Sequence, residues 1–163
     1  MNLNRDYESI GRSLSAASDR ATAMQAVVDR LWDGLSAAGV SWVGFYLRDG
    51  DEALVLGPRR DKPACSPIGL HGACGRALLT RAALIVGDVR RLGAHYVACD
   101  PRDQSELVIP LLEVDGTCWG VLDLDSFDCD AFCRSDVAGL FRILRQAGLT
   151  HCRTIDELPI EIV

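Results

Sequence analysis

The stretch Ser41-Trp42-Val43-Gly44-Phe45-Tyr46-Leu47, then Arg48-Asp49-Gly50-Asp51, then Ala53-Leu54-Val55-Leu56 ahead of Gly57-Pro58 decides the fold class. Two apolar runs around a polar, glycine-bearing turn predict a β-hairpin. Upstream the period changes. Leu14, Met24, Val27, Val28, Leu31 and Leu35 recur every three or four residues, which predicts two helices within residues 7–38, with Gly39 stopping the second. Downstream, residues 59–105 are rich in Gly, Pro, Cys and His and read as functional loops. They carry one short helix near 74–80 and one strand-like run, Ala83-Leu84-Ile85-Val86. Two stronger strands, 106–114 and 118–125, flank a turn at Asp115-Gly116. Ser135 is placed to cap a last helix, 135–147, ended by Gly148.

This order does not alternate strand, helix, strand. It predicts an α+β single domain over 1–163, an antiparallel sheet with helices mainly on one face. The expected layout is two N-terminal helices at 7–38, sheet and active-site loops at 40–126, a C-terminal helix at 135–147 and an irregular tail at 148–163.

Composition narrows the function. The chain has 163 residues, 48% hydrophobic and 25% charged, which suits one folded domain with a real core. Its net charge is −6, and its basic residues are scattered singly or in pairs, so nucleic acid is a poor partner. No run of about 18 apolar residues suggests a membrane span, and the N-terminus has no signal-peptide pattern. The expected location is therefore the reducing cytoplasm. There, the seven cysteines at 65, 74, 99, 118, 129, 133 and 152 do not form a structural disulfide framework; each is buried, metal-bound or chemically active.

Strand alternation sorts the side chains into faces. Val43, Phe45 and Leu47 share one face of the first strand, and Trp42 and Tyr46 share the other, on either side of Gly44. Such an aromatic pair either walls a pocket or covers the sheet. In the strand at 118–125, strict alternation puts Cys118 and Gly120 with Leu122 and Leu124, in the core, and Trp119 and Val121 with Asp123 and Asp125. Two aspartates about 7 Å apart on one strand face suit an ammonium group or a carboxylic acid of raised pKa. Cys65, Cys74 and Cys99 lie in loops beside glycine, proline and histidine, settings that favour thiolate chemistry. A zinc site would need close ligand pairs; only Cys129 and Cys133, with His151 and Cys152 further on, come near that pattern, and their spacing is unlike a structural zinc motif. No metal is expected there, and these three cysteines are read as incidental.

In order along the chain, Trp42-Val43-Gly44-Phe45-Tyr46, Leu56-Gly57-Pro58, Lys62-Pro63-Ala64-Cys65, Cys74-Gly75, Ala98-Cys99-Asp100, Ser105-Glu106-Leu107-Val108-Ile109-Pro110 and Gly120-Val121-Leu122-Asp123-Leu124-Asp125-Ser126 resemble the motifs of the GAF-domain free methionine-(R)-sulfoxide reductases. The resemblance implies a GAF-like fold and reduction of free L-methionine (R)-sulfoxide without a cofactor, with electrons from a thioredoxin-type reductant. It implies Cys99 as nucleophile and Cys65 as the thiol that resolves its sulfenic acid, with Cys74 a second resolving or exchanging thiol. Glu106, Asp123 and Asp125 would bind the substrate's ammonium and help protonate the sulfoxide oxygen, and Trp42 and Tyr46 would wall the S-methyl end. GAF domains often pair through helices, which makes a homodimer a candidate assembly. The chain departs from the family pattern at Leu70-His71-Gly72-Ala73 and at Asp103, where the family carries serine. A non-catalytic GAF module that binds a small molecule or senses redox state is the alternative reading.

Overall fold

The computed structural model describes residues 4–96 and 99–163; Ala98 of the Ala98-Cys99-Asp100 motif falls outside them. In chain order the elements are α1 (Tyr7–Gly11), α2 (Arg20–Leu35), β1 (Trp42–Asp49), β2 (Ala53–Arg60), β3 (Ile68–Gly69), α3 (Ala73–Thr80), β4 (Ala83–Val86), β5 (Ser105–Leu112), β6 (Cys118–Ser126), α4 (Arg134–Gln146) and β7 (Ile160–Ile162). One sheet orders the strands β3-β2-β1-β6-β5-β4-β7.

Each helix starts and stops for a local reason. The Asp19 carboxylate accepts the Thr22 N–H at the start of α2, as an N-cap does. Gly39, at φ 88°, takes the left-handed turn that follows the 3₁₀ extension Ser36–Ala38. The cap of α4 differs from expectation. Ser135 lies inside the first turn, and the N-cap is Cys133, whose backbone N–H donates to Asp136 Oδ2 at 2.8 Å in a capping box.

The hydrophobic pattern divides between the two sheet faces. Val27, Val28, Leu31 and Leu35 of α2 and Leu140 and Leu144 of α4 pack on Val43, Phe45, Leu107, Ile109, Leu122 and Leu124. On the opposite face α3 places Ala77 and Leu78 with Trp42, Tyr46, Val108 and Val121, and Val89 and Leu92 of the 3₁₀ turn after β4 join them. These short helices leave part of that face open, and the candidate site forms there.

Two sequence expectations fail here. The tail is not irregular throughout: Ile160, Glu161 and Ile162 pair with Ala83, Leu84 and Ile85, and this β4–β7 pair is parallel, so the sheet is mixed. Arg76 of α3 holds Glu161 through its Nε at 3.1 Å. Three residues are too short for periodicity to stand out, and their pairing depends on an edge supplied far upstream. The alternation in β6 also breaks. Leu111 pairs with Gly120 but Leu112 pairs with Cys118, so Trp119 is an extra residue on that strand. This β-bulge flips everything before it. Trp119 packs against the helix side, with the Arg20 guanidinium 4.0 Å from its ring centroid, and Cys118 faces the α3 side. Cys118 is buried, as expected, but not beside Leu122 and Leu124.

Candidate functional site

The register of three neighbouring strands assembles the polar floor of a cavity. Asp125 stands opposite Trp42 and Asp123 opposite Gly44 across β1–β6. On the other side of β6, Asp125 pairs with Glu106 and Asp123 with Val108. Trp42, Tyr46, Asp123, Asp125 and Glu106 therefore share one face. Gly44 is required there: a Cβ would lie 2.3 Å from the Trp42 ring, which folds over the glycine. Trp42 and Tyr46 stand with ring centroids 6.1 Å apart, and Trp42 Nε1 donates to the Lys62 carbonyl at 2.9 Å.

α3 brings the second thiol in from above. Gly75 lets its first turn approach so closely that a Cβ would sit 2.2 Å from the Leu70 carbonyl oxygen. Cys74, buried, then directs its thiol to Asp123 Oδ2 at 3.4 Å.

Cys65 and Cys99 come from two loops and meet at the rim, both exposed. The Cys65 N–H donates to Cys99 Sγ at 3.4 Å. The Tyr46 hydroxyl donates to the Cys65 carbonyl at 2.8 Å and lies 3.9 Å from Cys99 Sγ. Lys62 and Arg102 both pair with the Asp100 carboxylate, Arg102 through Nε at 3.1 Å and Nη2 at 2.8 Å, which links the loop bearing Cys65 to the loop bearing Cys99. Phe127 lies beneath both cations, its ring centroid 4.5 Å from the Arg102 guanidinium.

Cys74, Cys99, Trp42, Tyr46, Glu106, Asp123 and Asp125 line one cavity, with Cys65 at its mouth. Tyr96 and Asp103 line it too, neither of them among the site residues expected from the sequence. Asp103 had a signal, since it stands at a departure from the family pattern; Tyr96 had none, because it sits in a loop without periodicity. Cys129, Cys133, Cys152 and Cys118 are not in the cavity lining.

The site holds its protons tightly. Burial, then the charge of Asp125, raises Glu106 well above the usual carboxylate range. Burial and Glu106 do the same to Asp123, and burial and Asp123 to Asp125. Cys74 is raised by burial and by Asp123 and Glu106. Partial burial of the Cys99 sulfur, with the neighbouring Cys65 thiol, pushes it up to about 12, against the lowering pull of the Cys65 N–H and Tyr46 hydroxyl. The arrangement therefore presents the neutral thiols of Cys74 and Cys99 over carboxylic acids, equipped to donate a proton to a bound oxygen and, once one has ionised, to accept a positive group.

The fold and this cavity define a GAF domain, whose family model matches residues 19–150. The chain is 35% identical over 147 residues to the free methionine-R-sulfoxide reductase of Escherichia coli K12, covering 88% of this chain and 83% of that protein. With this relative, the chain belongs to the free methionine-R-sulfoxide reductase family. The Saccharomyces cerevisiae free methionine-R-sulfoxide reductase is 39% identical over 99 residues, and the matched region spans 59% of this chain and 54% of that relative. Among solved structures, the reduced fRMsr of Staphylococcus aureus superposes with a TM-score of 0.80 at 30% identity, covering 90% of this chain and 96% of that one. Among the described residues, no helix is long and apolar enough to cross a membrane.

Proposed function

We propose that the protein reduces free L-methionine (R)-sulfoxide to L-methionine. The carrying observation is the meeting of Cys99 Sγ with the Cys65 backbone N–H at the mouth of a cavity floored by three proton-holding carboxyls. Family membership supports the same reading, as does the named activity of the Escherichia coli relative.

A sulfoxide sulfur is a poor electrophile until its oxygen accepts a proton. One of Glu106, Asp123 and Asp125 supplies that proton, and the others, ionised as the substrate's ammonium arrives, receive it. Trp42 and Tyr46 enclose the S-methyl group. The Cys99 thiol gives up its proton to the carboxylate that protonated the oxygen as its sulfur takes that oxygen, so sulfoxide plus thiol become methionine plus Cys99 sulfenic acid and the acid is restored. The Cys65 thiol then attacks the sulfenic sulfur, forming a Cys65–Cys99 disulfide and releasing water. A thioredoxin-type dithiol reduces the disulfide and is itself oxidised. Cys74, held by Asp123 on the floor, serves as an exchanging thiol. The raised Cys99 pKa fits attack in step with proton transfer rather than by a standing thiolate.

A coupled assay decides this reading. Thioredoxin, its reductase and NADPH should be consumed with the R epimer of free methionine sulfoxide and not with the S epimer. Absence of turnover above blank overturns it and leaves the non-catalytic ligand-binding module, whose expected signature is binding without loss of thiols.

A further inference from the structure

The floor of the cavity contains an unusual donor set. Cys74 Sγ, a Glu106 carboxylate oxygen and an Asp123 carboxylate oxygen lie within 4.8 Å of one another. The three residues are only 5%, 6% and 5% exposed. They come from α3, β5 and β6, so the set is held by packed elements rather than by a loop. Asp123 accepts from Cys74 through Oδ2, whereas its Oδ1 is buried and has no hydrogen-bond partner. A buried carboxylate oxygen without a donor is costly, and here it is met by the proton that Asp123 and Glu106 hold, which a cation would displace.

We propose that this trio is a binding site for a thiophilic divalent cation of the zinc class. One sulfur and two carboxylate oxygens are ligands that zinc accepts. With zinc–sulfur bonds of about 2.3 Å and zinc–oxygen bonds of about 2.1 Å, a tetrahedral S···O edge is about 3.6 Å. The Cys74 Sγ to Asp123 Oδ2 separation of 3.4 Å already matches it, and a Glu106 oxygen lies within 4.8 Å of both. Magnesium and calcium fit less well, since they demand six or more oxygen ligands and gain little from sulfur. On binding, Cys74, Glu106 and Asp123 release the protons they hold to solvent as the metal–sulfur and metal–oxygen bonds form; nothing is oxidised or reduced. A fourth position opens to the cavity. The ion would occupy the floor on which the substrate's ammonium rests in the proposed reaction, so it would block that substrate reversibly. Only this last consequence depends on the reductase reading.

Cobalt(II), a coloured stand-in for zinc, tests the site on the fully reduced chain without substrate. The expected result is a thiolate-to-cobalt charge-transfer band saturating at one equivalent and abolished by zinc. Affinity should fall at least about 10-fold in Cys74→Ser and in Asp123→Asn, and should be retained when Cys65 and Cys99 are both replaced by serine. No band in the wild-type chain, a band that survives Cys74→Ser, or one that disappears with the Cys65/Cys99 double variant would each overturn the proposal. X-ray absorption on the wild-type cobalt form avoids dependence on variant folding: one sulfur ligand supports the site, and none or several overturn it. Free methionine sulfoxide should weaken cobalt binding. If cobalt binds as described but the sulfoxide does not compete, the cation site stands and the substrate placement fails.

Discussion

The Tyr46 hydroxyl donates to the carbonyl of Cys65 at 2.8 Å, tying the loop of one thiol to the centre of β1. Burial is the main reason its phenol pKa is raised, so Tyr46 stays a neutral donor at any ordinary pH. In Tyr46→Phe the ring still fills its place but the tether is lost. A hydrogen bond of about 1 kcal/mol corresponds to roughly a 5-fold change in rate. Disulfide formation after one turnover should slow by about that factor, while the first equivalent of methionine still appears. Acid-quenched single-turnover samples, assayed for methionine and free thiols, check it. Equal disulfide rates would reduce Tyr46 to a wall of the pocket.

The ion pair between Lys62 and Asp100 spans the same two loops from the outside, three residues before Cys65 and one after Cys99. Lys62 is partly exposed and Asp100 mostly covered, and a pair at the surface in this way contributes about 1 kcal/mol. Lys62→Met should therefore lengthen the life of the Cys99 sulfenic acid by about 2- to 5-fold, and Lys62→Arg should restore it. Trapping the sulfenic acid with dimedone and counting adducts by mass spectrometry reads the effect directly. An unchanged adduct yield in Lys62→Met would show that the pair does not position the loops.

Asp103 makes stability depend on pH. Burial raises its carboxyl pKa to about 6, opposed by the Ser41 hydroxyl that donates to it at 3.2 Å. An acid whose folded pKa exceeds its unfolded value binds more protons when folded, so its contribution to stability falls as pH rises from about 4 to about 6 and then levels off. Asp103→Asn keeps the acceptor for Ser41 and removes the charge. It should stabilise the fold by about 1–2 kcal/mol at pH 7 and by little at pH 4. Urea unfolding at both values measures the difference. A gain of equal size at pH 4 would assign the effect to something other than ionisation.

How far the sequence discloses this molecule depends on whether a feature is local. The hairpin at β1–β2, the helical period in α2 and the left-handed Gly39 rest on neighbours in the chain, and all could be read there. The division of Trp42 and Tyr46 from Val43 and Phe45 was equally clear, because β1 has no irregularity at those positions against β6. Strand β7 was hidden because its three residues gain their pairing from β4. The faces of Cys118 and Trp119 depart from strict alternation because a bulge is a property of the pair β5–β6, of which Gly120 alone is only a weak sign. The acids of the site could be suspected from their alternation. That Glu106 lies directly opposite Asp125 is a matter of register, as is the approach of Cys74 to Asp123.

The bulge changes what a substitution at Cys118 tests. Strict alternation separates Cys118 from the site, so its loss would be felt only through the helix-side core. In the structure it lies on the α3 side, buried, with its thiol donating to the Gly120 carbonyl at 3.2 Å. It is nevertheless outside the cavity lining. Cys118→Ala removes a small buried group and a weak hydrogen bond, at a cost of about 1 kcal/mol. The melting temperature should drop by a few degrees, as expected for a domain of this size, with turnover of the folded protein kept within about 2-fold. Cys99→Ser should do the reverse, removing the sulfur proposed to take the oxygen while leaving stability nearly unchanged, since Cys99 is exposed. Steady-state rates and melting curves on the two variants separate these outcomes. If Cys118→Ala loses turnover as completely as Cys99→Ser while melting normally, Cys118 takes part in the thiol relay, and the assignment of the cycle to Cys65, Cys74 and Cys99 fails.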